Sequence, residues 1–170
     1  MNNNYVVMKI LILGGPGSGK STTGQQLSKK LNIPHFDLDE IEWNMFPIKG
    51  FRRNQEKCEK LSQNILIRDN WIAEGYTDKN WTNNFCEFAD YIFWLEVDKK
   101  IRSKRIIRRG WKRFFGFGGR WQMPWVILWL LNFNNNFNKT TQQKIEKKLD
   151  QFQKKAIRIK SWEETLKFIN

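Results

Sequence analysis

From Met8 to Leu13 the chain reads MKILIL, an apolar run broken only by Lys9 and closed by two glycines. A run this short, ended by glycine, predicts a strand. Beyond Lys20 the apolar positions thin to Leu27 and Leu31, four apart, which is the spacing of one helical face. Strand, glycine-rich loop and helix therefore follow one another as a β-loop-α unit. His35 to Leu38 predicts a second short strand, and Asn54 to Ile67 a helix with Cys58, Leu61 and Ile65 on one side. Trp71 to Ala73 and Tyr91 to Val97 predict two more strands; the latter is apolar almost throughout, as a strand covered on both faces should be. Ala156 to Ile159 supplies a fifth. Ser161 and Glu164 form a capping box that opens a last helix bearing Leu166 and Ile169. Strands alternating with helices predict an α/β fold of three layers around a parallel sheet, with ligands at the carboxyl ends of the strands. The one low-complexity patch, Asn132 to Asn138 (NFNNNFN), predicts a loop, and no internal repeat is visible.

Composition bounds this picture. A length of 170 residues suits one domain, spanning 1–170, and is short for two. Hydrophobic residues at 40%, with thirteen Phe and nine Trp, give ample core material and exclude a disordered chain. Cys58 and Cys86 have neither disulfide-framework nor zinc-site spacing, so a cytoplasmic location is expected. The longest apolar stretch, Trp125 to Leu131, is far short of the ~20 residues a spanning helix needs. Residues 1–7 have the look of a flexible extension, and Met8 is an alternative start.

Charge changes the picture more. The net charge is +13, yet Lys99 to Ile145 holds twelve Lys or Arg and no Asp or Glu, and the remainder is nearly balanced. A field confined to one segment concentrates anions: nucleotide phosphates, nucleic acid or acidic lipid.

The chemistry begins at Gly14-Gly15-Pro16-Gly17-Ser18-Gly19-Lys20-Ser21-Thr22, which satisfies G-x-x-x-x-G-K-[ST] in full. Glycines let backbone N–H groups turn inward around phosphate oxygens, and the following helix points its positive end at them. Lys20 adds a charge for the outer phosphates, and the Ser21 hydroxyl is a magnesium ligand. ATP with Mg2+ is the expected cofactor pair.

The loop GGPGSGKST, followed by IPHFDLDEIEW, WIAEGY, ADYIFWLEV and an arginine-rich helix, resembles the adenylate-kinase-like P-loop kinases, and within them the branch called DNA topology modulation proteins. The resemblance spans most of the chain, though only the phosphate loop is highly specific. It implies a five-stranded parallel sheet in 2-3-1-4-5 order with a mobile helical lid, here about 105–138, and makes a kinase the default function. Asp37, Asp39 and Arg52 also look like corresponding pieces of shikimate kinases, which implies a metal-holding role for Asp37 and acceptor-hydroxyl contact for Asp39. Independently of family, two carboxylates spaced i, i+2 on a strand end point to one side and can serve a metal and a proton; the plainer alternative is a helix N-cap beside a solvated carboxylate. The likeness stops after the third strand, where shikimate kinases carry three glycines and this chain has Glu74-Gly75-Tyr76. A different acceptor is implied. Glu74 has two readings, orienting magnesium through water or pairing with Arg52, and Tyr76 is a candidate to line the acceptor pocket. The lone histidine, His35, reads as a strand residue near the site.

Within IRSKRIIRR, helical spacing sets Arg102, Arg105 and Arg109 on one face with Arg108 beside it. Arginines on a lid suit phosphoryl transfer, where charge on the migrating group is worth about 10³ to 10⁵ in rate. By resemblance Arg105 lies where related kinases stack an arginine on adenine, and Arg113 falls near the lid arginine; Arg105, Arg108 and Arg113 join Lys20 and Asp39 as catalytic candidates. From Trp111 to Trp129 cations interleave with Trp, Phe and Gly, which suits single-stranded nucleic acid or an anionic membrane surface; the plainer alternative packs these aromatics onto the sheet.

The reading is ATP-dependent phosphoryl transfer to a small hydroxyl- or phosphate-bearing acceptor, nucleoside- or nucleotide-like, held by Asp39, Arg52, Glu74 and Tyr76. A nucleic-acid-associated ATPase influencing DNA topology is the alternative. ATP and a small acceptor are the expected partners of a monomer or small homo-oligomer; nucleic acid is second, and a membrane is not expected.

Overall fold

The computed structural model describes residues 7–43, 52–75, 79–115, 124–137 and 141–169, with the backbone alone at 113–115 and 124–126. Five strands, β1 (Lys9–Gly14), β2 (His35–Asp37), β3 (Trp71–Gly75), β4 (Tyr91–Leu95) and β5 (Ala156–Ile159), form one sheet in the order β2-β3-β1-β4-β5. All four pairings are parallel. Parallel neighbours require crossovers, and helices supply them: α1 (Lys20–Leu31), α2 (Leu38–Glu42), α3 (Gln55–Leu66), α4 (Asn83–Phe88), α5 (Lys99–Phe115), α6 (Pro124–Asn136) and α7 (Gln142–Asp150), with α8 (Trp162–Thr165) following β5. The parallel sheet is the one the alternation predicts, and its order is the one the resemblance implies.

Two apolar layers flank the sheet, as the side-chain alternation of its strands demands. Leu11, Leu13, Trp71, Ala73, Ile92 and Trp94 face one way, toward Cys58, Ile65, Phe85, Phe137 and Ile145. Ile10, Ile12, Ile72, Phe93 and Leu95 face the other, toward Leu27 on α1 and Ile169 beyond α8. β1 lies at the centre, with Ile10 through Leu13 all buried.

Several elements differ from their sequence-based expectations. Asn132–Asn136 is helical, the last turn and a half of α6, because Asn134 is buried and its amide donates to Ser103 Oγ at 2.9 Å and to the Lys99 carbonyl at 3.4 Å. Tertiary partners thus override the loop-forming tendency of asparagine; Asn138 lies outside the described residues. The last helix is a single α-turn, and Glu164 accepts from the backbone of Lys160 at 2.9 Å, one residue before the Ser161 of the expected capping box. Leu38 and Asp39 belong to α2 and not to the second strand.

Phe93 is fully buried between Tyr91, stacked at 5.9 Å, and Phe168 at 6.3 Å. Phe93→Ala should cost about 3–5 kcal/mol of stability, read as a lowered urea midpoint; a loss under about 1 kcal/mol would contradict the packing described.

Candidate functional site

The phosphate loop occupies the turn from β1 to α1. Gly17 and Gly19 have φ of 75° and 106°, values that favour glycine, and between them the chain folds tightly enough for Ser18 N–H to reach the Gly15 carbonyl at 3.1 Å. α1 then begins with Lys20, whose Nζ lies 3.5 Å from the same carbonyl, so the ammonium rests over the loop's interior. Thr23 closes the first turn of the helix back onto Gly19. The first turn of α1 carries no acidic residue to compete for its positive end.

Three strand ends converge beside this turn. Register pairs Asp37 on β2 with Glu74 on β3, and Glu74 in turn with Ile12 on β1. Glu74 is buried to 1% exposure, and its Oε1 has no hydrogen-bond partner. Burial pushes its pKa up, against the pull of Lys20 and of a hydrogen bond from Ser21, with the charges of Asp39 and Glu40 adding to the rise. Asp37 is likewise pushed up to about 6, first by burial and then by the Glu74 charge. Lys20, Ser21, Asp37, Asp39 and Glu74 thus form one electrostatic cluster. Asp39 reaches it by a different route from the one its spacing suggested. Asp37 ends β2 and caps α2, its Oδ1 accepting from the Asp39 N–H at 2.8 Å, and Asp39 sits in the helix's first turn. The strand alternation that was to align the two carboxylates is therefore absent, and the N-cap alternative describes Asp37.

The cluster fits a divalent cation. An orphaned carboxylate oxygen buried beside a hydroxyl and a second carboxylate is the hard-oxygen donor set such an ion takes. Among the described residues no group of three or more His, Cys, Asp or Glu forms a cage of its own. Two carboxylates and a hydroxyl suit instead an ion that arrives with phosphates and keeps several waters.

Arg52 is elsewhere, so the reading that paired it with Glu74 is corrected. It pairs with Glu42 at 2.6 Å and lies over the Trp43 ring. With Arg53, Lys79, Asn80, Trp81 and Gln55 it lines a cavity of 440 Å³. Tyr76 lies outside the described residues. His35 is on β2, against Gly24 of α1; burial lowers its pKa, opposed by Glu40, which suits a packed neutral imidazole.

The arginines of α5 divide. Arg105 donates from Nη1 to the Ser18 carbonyl at 2.8 Å, and Arg108 and Arg109 are exposed. Arg102, which helical spacing had grouped with Arg105 and Arg109, is buried at 3% exposure under the loop. Its guanidinium lies over the Phe137 ring at 5.2 Å and against Gly15, where any Cβ would fall on Nη1. Its carbonyl sits 2.7 Å from where a Cβ on Gly17 would stand. Sequence reasoning grouped Arg102 with the lid arginines and gave it no place under the loop. The available signal was the i, i+4, i+8 series Arg102, Ile106, Gly110, which marks the packed face of α5. Only the backbone of Arg113 is described.

The AAA domain family matches residues 10–114. An uncharacterized protein of Bacillus subtilis (strain 168), YqaC, is 33% identical over 106 residues, 62% of this chain and 58% of that one. An adenylate kinase of Wigglesworthia glossinidia brevipalpis is 33% identical over 119 residues, 60% of this chain and 56% of its own length. The chain thus spans less than six-tenths of these relatives. The solved shikimate kinase of Aquifex aeolicus superposes with a TM-score of 0.51 at 20% identity, covering 95% of this chain and 93% of that one, a likeness of fold.

The raised carboxyl pKa values carry a stability consequence. Between the unfolded value near 4 and a folded value of about 6 for Asp37, the native state holds more protons than the unfolded one, so stability falls as pH rises through that window. Glu74→Gln removes one buried charge and relieves Asp37. Its melting temperature should exceed that of the parent at pH 7.5 and approach it at pH 4; an unchanged or lower value at pH 7.5 would contradict the electrostatics described.

Proposed function

The chain belongs to the AAA domain family, and we propose that within it the protein is a P-loop kinase that transfers phosphoryl from ATP to a small hydroxyl-bearing acceptor. The observation that carries this reading is the buried Glu74 carboxylate among Lys20, Ser21, Asp37 and Asp39 at the mouth of the phosphate loop. A nucleotide-binding module without chemistry has no need to desolvate a carboxylate beside a second one, a costly arrangement.

In this reading residues 14–22 hold the phosphates of ATP, with Lys20 on the outer ones. Ser21 and Asp37, aided by Glu74, hold Mg2+, which when bound neutralises phosphate charge. Lys20 already offsets Glu74 and Asp37, so the cluster's balance shifts toward ionised carboxylates when a second cation enters. Asp39 takes the proton of the acceptor hydroxyl as its oxygen bonds to the γ-phosphorus and the bond to the β-phosphate oxygen breaks, leaving ADP. Arg105, held against Ser18, and with it Arg108 and Arg113, place positive charge over the transferring group as a lid of about 105–138. The acceptor itself binds along Asp39, Tyr76 and the cavity of Arg52, Arg53 and Lys79. Three cations there against Glu42 favour an acceptor carrying a carboxylate or phosphate, and Trp81 offers a flat apolar wall for a ring.

Two outcomes test the reading. ADP release over a panel of nucleosides, nucleotides and hydroxylated carboxylates should identify an acceptor, and Lys20→Ala should lower turnover on it by about 10² to 10³; turnover within threefold of the parent would count decisively against the site. Asp39→Asn should lower kcat more than nucleotide affinity, Asp37→Asn should raise the Mg2+ concentration needed for half-maximal rate, and Arg52→Ala should raise the acceptor KM about tenfold at near-constant ATP KM.

A further inference from the structure

α5 and α6 pack as a pair whose outer surface, Arg108 apart, serves neither the phosphate loop nor the core. On α5 the inward face is Arg102, Ile106 and Gly110; Ile106 is buried against Gly17, and Ile127 of α6 fills the space a Cβ on Gly110 would take. On α6, Ile127 and Asn134 face α5, while Phe133 and, just past the helix end, Phe137 face the core. What remains is a stripe on α5 of Lys100, Lys104, Ile107, Arg108 and Trp111, at helical spacings of four, three, one and three, and on α6 the exposed Leu128, next in the chain to the Ile127 that meets Gly110. Ile107, Trp111 and Leu128 are 39%, 54% and 65% exposed. Trp129, stacked on Phe133 at 5.8 Å, stands exposed on the flank. α6 is apolar and carries no charged residue, a composition that ordinarily marks a helix covered all round. Of the aromatics from Trp111 to Trp129 that were expected to pack onto the sheet, the two whose side chains are described, Trp111 and Trp129, are each 54% exposed, with Trp129 resting on Phe133.

We propose that this outer face of α5 and α6 docks on an anionic lipid surface, with Ile107, Trp111 and Leu128 entering the headgroup region and Lys100, Lys104 and Arg108 meeting lipid phosphates. Charge complementarity selects the occupant. No acidic residue occurs between Lys99 and Ile145, so a second copy meeting this face with its own equivalent face would oppose like charge with like. A single-stranded nucleic acid would engage the cations and the Trp rings, but aliphatic Ile107 and Leu128 offer bases no stacking face. A bilayer uses both sets, because lysine and arginine stems lie along apolar surface while their heads rise to the phosphates. Among the described residues no helix is long and apolar enough to cross a membrane, so the contact is peripheral. The proposal stands apart from the kinase reading, since none of these side chains but Arg108 enters it.

The test is co-sedimentation of the full chain with vesicles of phosphatidylcholine alone and of phosphatidylcholine mixed with phosphatidylglycerol. Binding is expected to the mixed vesicles only, weakening with salt. Trp111→Ser with Leu128→Ser, and separately Lys100→Glu with Lys104→Glu, should each lower the partition coefficient about tenfold or more, with melting temperature and ATP affinity as controls on folding. Absent binding, equal binding to both vesicles, or full binding by the Trp111/Leu128 variant overturns the proposal. So does submicromolar binding of a single-stranded oligonucleotide that excludes the vesicles and is lost in the Lys100/Lys104 variant alone, which would assign the face to nucleic acid.

Discussion

Parallel pairing of β1 with both β3 and β4 dictates where everything else must be. Every strand of such a sheet ends on the same side, and each crossover must leave from that side. The ends of β1, β2 and β3 therefore deliver the phosphate loop, Asp37 and Glu74 to one place, although 60 residues separate Gly14 from Glu74 in the chain. Hydrogen-bond register, not any local motif, sets Asp37 against Glu74. Burial then makes that proximity costly, and Lys20 offsets it because α1 must start within one turn of the end of β1.

What could be read in advance follows from this division between local and non-local causes. The phosphate loop was legible because its function depends on residues adjacent in the chain, with glycines at fixed offsets before a lysine. The five strands were legible because buried parallel strands are short apolar runs. Glu74 was singled out, but Asp37 was not recognised as its neighbour, since strand order alone leaves open the register that sets the two side by side. The Asp37–Asp39 pair was recognised for a strand alternation that does not exist: capping chemistry at Asp37 starts α2 one residue later, and the helix brings Asp39 round by another path. α4 is too short at six residues to show a helical period, α7 went unread although Ile145 and Leu149 stand four apart on its buried face, and Asn134 looked like loop because its two hydrogen-bond acceptors lie more than 30 residues away.

Arg102 shows the same limit from the other side. Its charge invited grouping with the neighbouring lid arginines, whereas its place on the packed face of α5 puts it under the loop, flattened between Gly15 and Phe137. Burial works against its charge, with Asp98 in partial compensation. A guanidinium has the width to fill that gap while presenting a flat face to the ring, a combination a lysine does not offer. The loop is thus shaped from below as well as by its own glycines.

That contact has a consequence for how the sequence can drift. Because the space beside residue 15 is occupied by the side chain at 102, the two positions are not free to vary separately. A lineage that trades Gly15 for alanine or serine must displace or shorten Arg102, and one that shortens Arg102 opens room that a side chain at 15 can fill. Across descendants of this chain a side chain at 15 should appear mainly where 102 has changed, with Phe137 following whenever the guanidinium it faces is lost.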